Sequence, residues 1–103
     1  MDIDRSEDGG TAYLPDDCVV EKAKELRDAL LGVLADKAVK RLDLSRIRRL
    51  DLSGLQVIYA ALASGNAKGR SLAAVGVPTK GADRLLALSG YGRILGERGW
   101  WGG

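Results

Sequence analysis

Between residues 38 and 66 the hydrophobic pattern changes period, and that change restricts the fold more than any other feature. In AVKRLDLS, residues 38–45, Val39, Leu42 and Leu44 form a short run suited to a strand. After a basic connector, Ser45–Leu50, the residues Leu55, Ile58 and Leu62 recur at helical spacing within a segment running from Leu52 to Asn66. That segment follows Asp51 or Ser53 as a cap and ends at the glycine-containing GNAKG. The same alternation recurs on both sides. Upstream, Ala23, Leu26, Leu30, Val33 and Leu34 mark an amphipathic helix over Glu21–Leu34. Downstream, SLAAVGV, residues 71–77, reads as a buried strand ended by Pro78, followed by a helix over Lys80–Leu88 that stops at Gly90. Residues 1–6 read as a strand, EDGG as turn chemistry, and Thr11–Leu14 as the second arm of a hairpin. Helices alternating with short apolar strands predict an α/β layer fold whose sheet contains parallel pairs, with residues 38–44 as a central strand.

A chain of 103 residues makes one domain. The expected limits are 1–96 for the folded unit and 97–103, ending in GWWGG, for a flexible tail. Sixteen basic against fourteen acidic residues leave a net charge of +2, too little for nucleic-acid binding by counterion release. The charge is unevenly placed: Asp2, Asp4, Glu7, Asp8, Asp16 and Asp17 crowd the start, and Lys37, Lys40, Arg41, Arg46, Arg48 and Arg49 the middle. Arg46, Arg48 and Arg49 either attract an acidic partner or keep a loop solvated. One cysteine, Cys18, and a start without a basic-then-apolar leader lead us to expect a reducing cytoplasm and no membrane insertion.

With no histidine, metal and Ser-His chemistry lose their usual ligands and base. No cofactor is expected, and an enzyme is not. GYGRILG, Gly90–Gly96, imitates a dinucleotide fingerprint, but its third glycine comes one residue late and no strand-to-helix turn precedes it. Cys18, beside Val19 and Val20, reads as a small buried hydrophobe. The Leu52–Asn66 helix is more informative, because Leu52, Tyr59 and Ala63, with Gln56 among them, form a second stripe beside the core-facing one. Either its own domain covers that stripe or it is a patch for another protein, and in so small a domain we expect the patch.

The run RLDLSRIRRLDLSGLQVIYAALASGNAKGRSLAAVGVP, followed by ADRLLALSGYGRIL, resembles a STAS domain, the module of sulfate transporters and anti-sigma factor antagonists. The matching positions are Asp43-Leu44-Ser45, Asp51-Leu52-Ser53-Gly54-Leu55, Gly69 and Leu86-Ala87-Leu88-Ser89-Gly90, and the likeness is close over residues 38–95. LPDDCVVEKAKELRDALL is similar to the family's segment leading into its first helix. The resemblance implies a mixed sheet of about four to five strands with helices mainly on one face, no catalysis, and docking onto a protein partner that a kinase switches. In the antagonist branch the first serine after the aspartate is phosphorylated. Here that position holds Leu52, which has no hydroxyl, and Val19 and Asp16 stand where the family has an acidic residue and a glycine. Ser53 keeps a hydroxyl, but one residue turns it by about 100° around the helix. It reads as a helix-start hydrogen bonder, with phosphorylation as the alternative. The resemblance therefore points to Asp51, Leu52, Ser53, Gln56, Tyr59 and Val19 as the partner-binding residues. The partner it implies is an anti-sigma factor or histidine-kinase-like ATP-binding protein. The alternative is a transporter ATPase, because the same fold serves as a soluble subunit of lipid-transporting ABC complexes.

Overall fold

The computed structural model describes residues 1–6, 8–79 and 81–102. Strands β1 (Asp2–Asp4), β2 (Gly10–Tyr13), β4 (Val39–Asp43) and β6 (Ala73–Val75) form one sheet in the order β1-β2-β4-β6. A second pair, β3 (Asp17–Cys18) and β5 (Arg49–Leu50), lies parallel beside it. The helices are α1 (Ala23–Ala35), entered through a 3-10 turn at Val20–Lys22, α2 (Leu52–Ala67), α3 (Ala82–Ser89) and α4 (Tyr91–Glu97). This mixed α/β architecture matches the STAS-like fold expected. The predicted hairpin is the antiparallel β1/β2 pair, with Asp2 opposite Tyr13 and Asp4 opposite Thr11; Glu7 of its turn lies outside the described residues. β4 is central, and both of its pairings, with β2 and β6, are parallel.

The sheet separates apolar from polar residues, with one irregularity. Gly10 pairs with Val39 but Thr11 with Arg41, so Lys40 is an extra residue in β4. Such a bulge resets the side-chain alternation, which is how Val39 and Leu42, three apart, are both buried. On the core side Ala12, Leu14, Leu42, Leu44 and Ala74 join Leu26, Leu30, Leu55, Ile58, Leu62, Leu86 and Leu95 from all four helices. On the other side Arg41 donates to the Thr11 hydroxyl at 2.9 Å, and the Arg46 guanidinium lies 4.0 Å over the Tyr13 ring.

Two polar clamps join helix ends to strands. The Arg70 guanidinium donates to the carbonyls of Leu34 (2.6 Å), Asp36 (2.9 Å) and Val39 (2.6 Å), satisfying acceptors at the end of α1 and the start of β4. The Asn66 amide donates to the carbonyls of Leu62 and Leu72 and accepts from the Leu72 N–H. The acidic start and basic middle also meet: Arg46 pairs with Asp2 at 2.9 Å and Arg49 with Asp17 at 2.8 Å. Those two arginines therefore spend their charge within the molecule.

Three expectations need correction. The expected helix beginning at Lys80 begins at Ala82, Lys80 itself lying outside the described residues; it stops at Gly90 as expected, but a further helix, α4, follows, which the glycines of GYGRILG concealed. Gly90 has φ +83°, the left-handed conformation that separates the two helices. The residues expected as a flexible tail from 97 are instead docked up to Trp101, with Gly103 outside the described residues. Ala74 N–H donates to the Trp100 carbonyl at 2.6 Å, Trp101 bridges Ala74 in parallel, and the Trp101 indole donates to the Gly76 carbonyl at 2.9 Å. Backbone groups along the edge of β6, rather than composition, decide that docking.

Candidate functional site

The N-terminus of α2 is built around Asp51. Its extended backbone (φ −119°, ψ 179°) leaves β5 and turns the chain into the helix, while Oδ1 accepts from the Gly54 N–H at 2.9 Å. Oδ2 accepts from the Val20 N–H at 2.8 Å, and the Asp51 N–H donates to the Cys18 carbonyl at 3.2 Å. One carboxylate thus caps α2 and holds the β3-to-α1 turn against it. Between the two expected caps, Asp51 is the one used. Ser53, expected to hydrogen-bond at the helix start, makes no side-chain hydrogen bond with any described residue; the acceptor role is already filled.

Gly54 explains why the motif tolerates no side chain there. A Cβ at this position would lie 1.8 Å from the Cys18 carbonyl oxygen, so α2 rests directly on the β3 backbone. Cys18 is buried beneath it. Its Sγ is 3.5 Å from the Pro15 carbonyl, and burial, aided by the charges of Asp17 and Asp51, pushes the thiol up to about 12. The Arg49 guanidinium forks onto Asp17 at 2.8 and 3.0 Å and holds that carboxyl below the usual range. Among the described residues no group of histidine, cysteine, aspartate and glutamate is arranged to hold a metal ion.

The six expected contact residues do not share one surface. Leu52, the first residue of α2, is 48 % exposed, and Gln56, one turn on, is exposed. Ser53 is half-buried and, with Gln56, faces the groove between α1 and α2. Tyr59, a further turn along, is partly covered by its own domain: its ring meets Tyr91 edge-on at 5.4 Å and Trp100 at 5.9 Å. The second stripe is therefore open only over its first part. Val19 needs the plainest correction, being buried, with 8 % exposed. Its neighbour Val20 is 58 % exposed, and its backbone N–H is the one held by Asp51. In the triplet CVV, residues 18–20, the sequence offers no period long enough to show which valine points outward.

A helix start capped by Asp51, with the apolar Leu52 exposed as its first residue, stands beside a four-stranded mixed sheet and a short second pair, and together they define a small α/β domain. The chain belongs to the STAS domain family: the family model described as Mlab, STAS domain, matches residues 6–96. In fold it is similar to a Thermotoga maritima protein whose crystal structure is provisionally described as that of an anti-sigma factor antagonist. That likeness has a TM-score of 0.66 at 21 % identity and covers 90 % of this chain and 80 % of the other. No curated protein matches the chain.

Proposed function

We propose that this chain is a non-enzymatic, cytoplasmic STAS-type module of bacterial signalling that docks onto a protein partner, in the manner of anti-sigma factor antagonists. Leu52 is the main contact, Asp51 positions it, and Gln56 and Ser53 border it. The observation that carries the reading is the exposure of Leu52, the residue after Asp51, and of Val20, whose N–H is held by the Asp51 carboxylate, since apolar side chains held in water on rigid backbone gain from being covered. On this reading the partner is an anti-sigma factor or histidine-kinase-like ATP-binding protein, and the contact is made by packing, because position 52 cannot carry a phosphate.

The absence of that hydroxyl also favours a second reading, a subunit resting permanently on the ATPase of a lipid-transporting ABC complex, where no phosphate switch is needed. Affinity capture from the native cell, with and without ATP, separates the two. An ATP-dependent complex with a histidine-kinase-like protein supports the first, and a stable ATP-independent complex with a transporter ATPase the second. Mass spectrometry of the captured chain reads Ser53: an unmodified residue is expected, and a phosphate there would restore a switch one position along. Capture of neither partner class overturns both.

A further inference from the structure

We infer that the groove between α1 and α2 is a binding site for a single-chain carboxylate amphiphile such as a medium-chain fatty acid. The two helices run parallel. The Val20 turn at the start of α1 is tied to Asp51 at the start of α2, and a Cβ on Gly65, near the end of α2, would lie 3.1 Å from Leu34 at the end of α1. The groove therefore has a direction. Arg27, Ser53 and Gln56 line its part near the helix starts, and Leu31, Leu34, Ala60 and Ala61 its part towards the helix ends. Small alanines on α2 leave the depression open, and Leu31, 57 % exposed, forms an unpartnered apolar wall.

Its volume, about 500 Å3, is that of a small-ligand site. Arg27 is the one charged side chain among the described lining residues, and it forms no ion pair with another described residue. A cation at one end of an apolar trough matches an anionic head with a hydrocarbon tail. A neutral lipid would gain nothing from Arg27, which is exposed at the rim of the groove, and a dianionic head would meet a single positive charge. Leu52 does not line the groove, although Ser53 and Gln56, which border the docking tip, do, so the two sites adjoin without sharing their main contact.

The full chain, titrated with dansyl-undecanoic acid below its micelle concentration, is expected to show saturable fluorescence enhancement that dodecanoate displaces. Ala60→Trp, which fills the trough from an exposed position, should abolish the signal while circular dichroism stays unchanged. Leu31→Asp, should the tryptophan disturb folding, places charge on the opposite wall and should weaken binding as well. Arg27→Gln should weaken dodecanoate by about tenfold, the scale of one lost charge-assisted hydrogen bond, without changing displacement by dodecanol. A signal that does not saturate, binding unaltered in folded Ala60→Trp, or equal affinity for dodecanol and dodecanoate in the unaltered chain would overturn the inference. The assay contains no partner protein, so its failure leaves the docking proposal standing, and the converse holds.

Discussion

A side chain at position 54 would collide with the backbone of Cys18: the ideal Cβ lies 1.8 Å from the carbonyl oxygen and 2.4 Å from the carbonyl carbon. Backbone cannot swing aside as a flexible side chain can. Gly54→Ala is therefore expected to push α2 off β3, stretching the Asp51-to-Cys18 and Asp51-to-Val20 hydrogen bonds together. Overpacking costs about 1–3 kcal/mol and can exceed that, so a loss of about 3 kcal/mol in urea denaturation is expected. The same substitution at Gly32 is the control, because a Cβ there meets nothing within 4 Å. Gly32→Ala, in the interior of α1, should stabilise by about 0.5–1 kcal/mol.

Arg70 yields a second prediction. Its guanidinium serves carbonyls from the last turn of α1, the α1-to-β4 connection and β4. Arg70→Ala leaves those acceptors without their charged donor, and hydrogen bonds to charged groups contribute about 1.5–3 kcal/mol. A loss of about 2 kcal/mol is expected in the same denaturation assay. Arg70→Lys should recover only part of it, since a single ammonium cannot span acceptors that a planar fork reaches at once. Equal stability of the lysine variant and the unaltered chain would show that charge, not geometry, is what the clamp supplies.

The same clamp illustrates what can be read from the chain alone. The α1 and α2 patterns, the central strand and a cap at Asp51 or Ser53 were legible because they depend on periodicity and local capping, which neighbouring residues reveal; which of the two caps is used was not. Arg70 was not, because its partners are backbone carbonyls that leave no mark on residue type. That Val19 is the buried and Val20 the exposed valine was not legible for a related reason: a turn has no hydrophobic period, so the buried member of an apolar pair depends on the tertiary packing of the turn. α4 was hidden because Tyr91, Ile94 and Leu95 are too few in one short, glycine-rich segment to establish a helical face. The docking of Trp100 and Trp101 is decided by a free sheet edge and by Tyr59, both distant in sequence.

Cys18 gives a pH prediction whose sign is fixed by burial. Its thiol is raised from an ordinary 9.0 to about 12, first by desolvation and then by Asp17 and Asp51. The folded chain keeps a proton that the unfolded chain releases near pH 9, so this group's contribution is complete below pH 9 and is lost as pH rises towards 12. Stability measured by denaturant titration should therefore fall over that window in the unaltered chain and fall less in Cys18→Ala. The same burial predicts slow alkylation by iodoacetamide at about pH 8 without denaturant and rapid alkylation in urea. Rapid reaction of the folded chain would contradict the burial.

Leu52→Glu tests the docking tip while sparing the fold. The side chain is 48 % exposed, so its removal creates no cavity. The new carboxylate would occupy the first position of α2, where the positive end of the helix dipole favours it. Stability is expected to stay within about 0.5 kcal/mol of the unaltered chain, as for an ordinary surface change. Binding behaves oppositely, because an interface closed over position 52 would have to bury a charge with no partner. A central apolar contact typically accounts for at least about 2 kcal/mol, so a loss of affinity of about 30-fold or more is expected in a titration with the captured partner. Val20→Glu, at the exposed residue whose N–H Asp51 holds, should act in the same direction, whereas Leu88→Glu, on the exposed surface of α3, should not. If all three variants bound alike, the contact would lie elsewhere on the molecule, since only the first two border the capped start of α2.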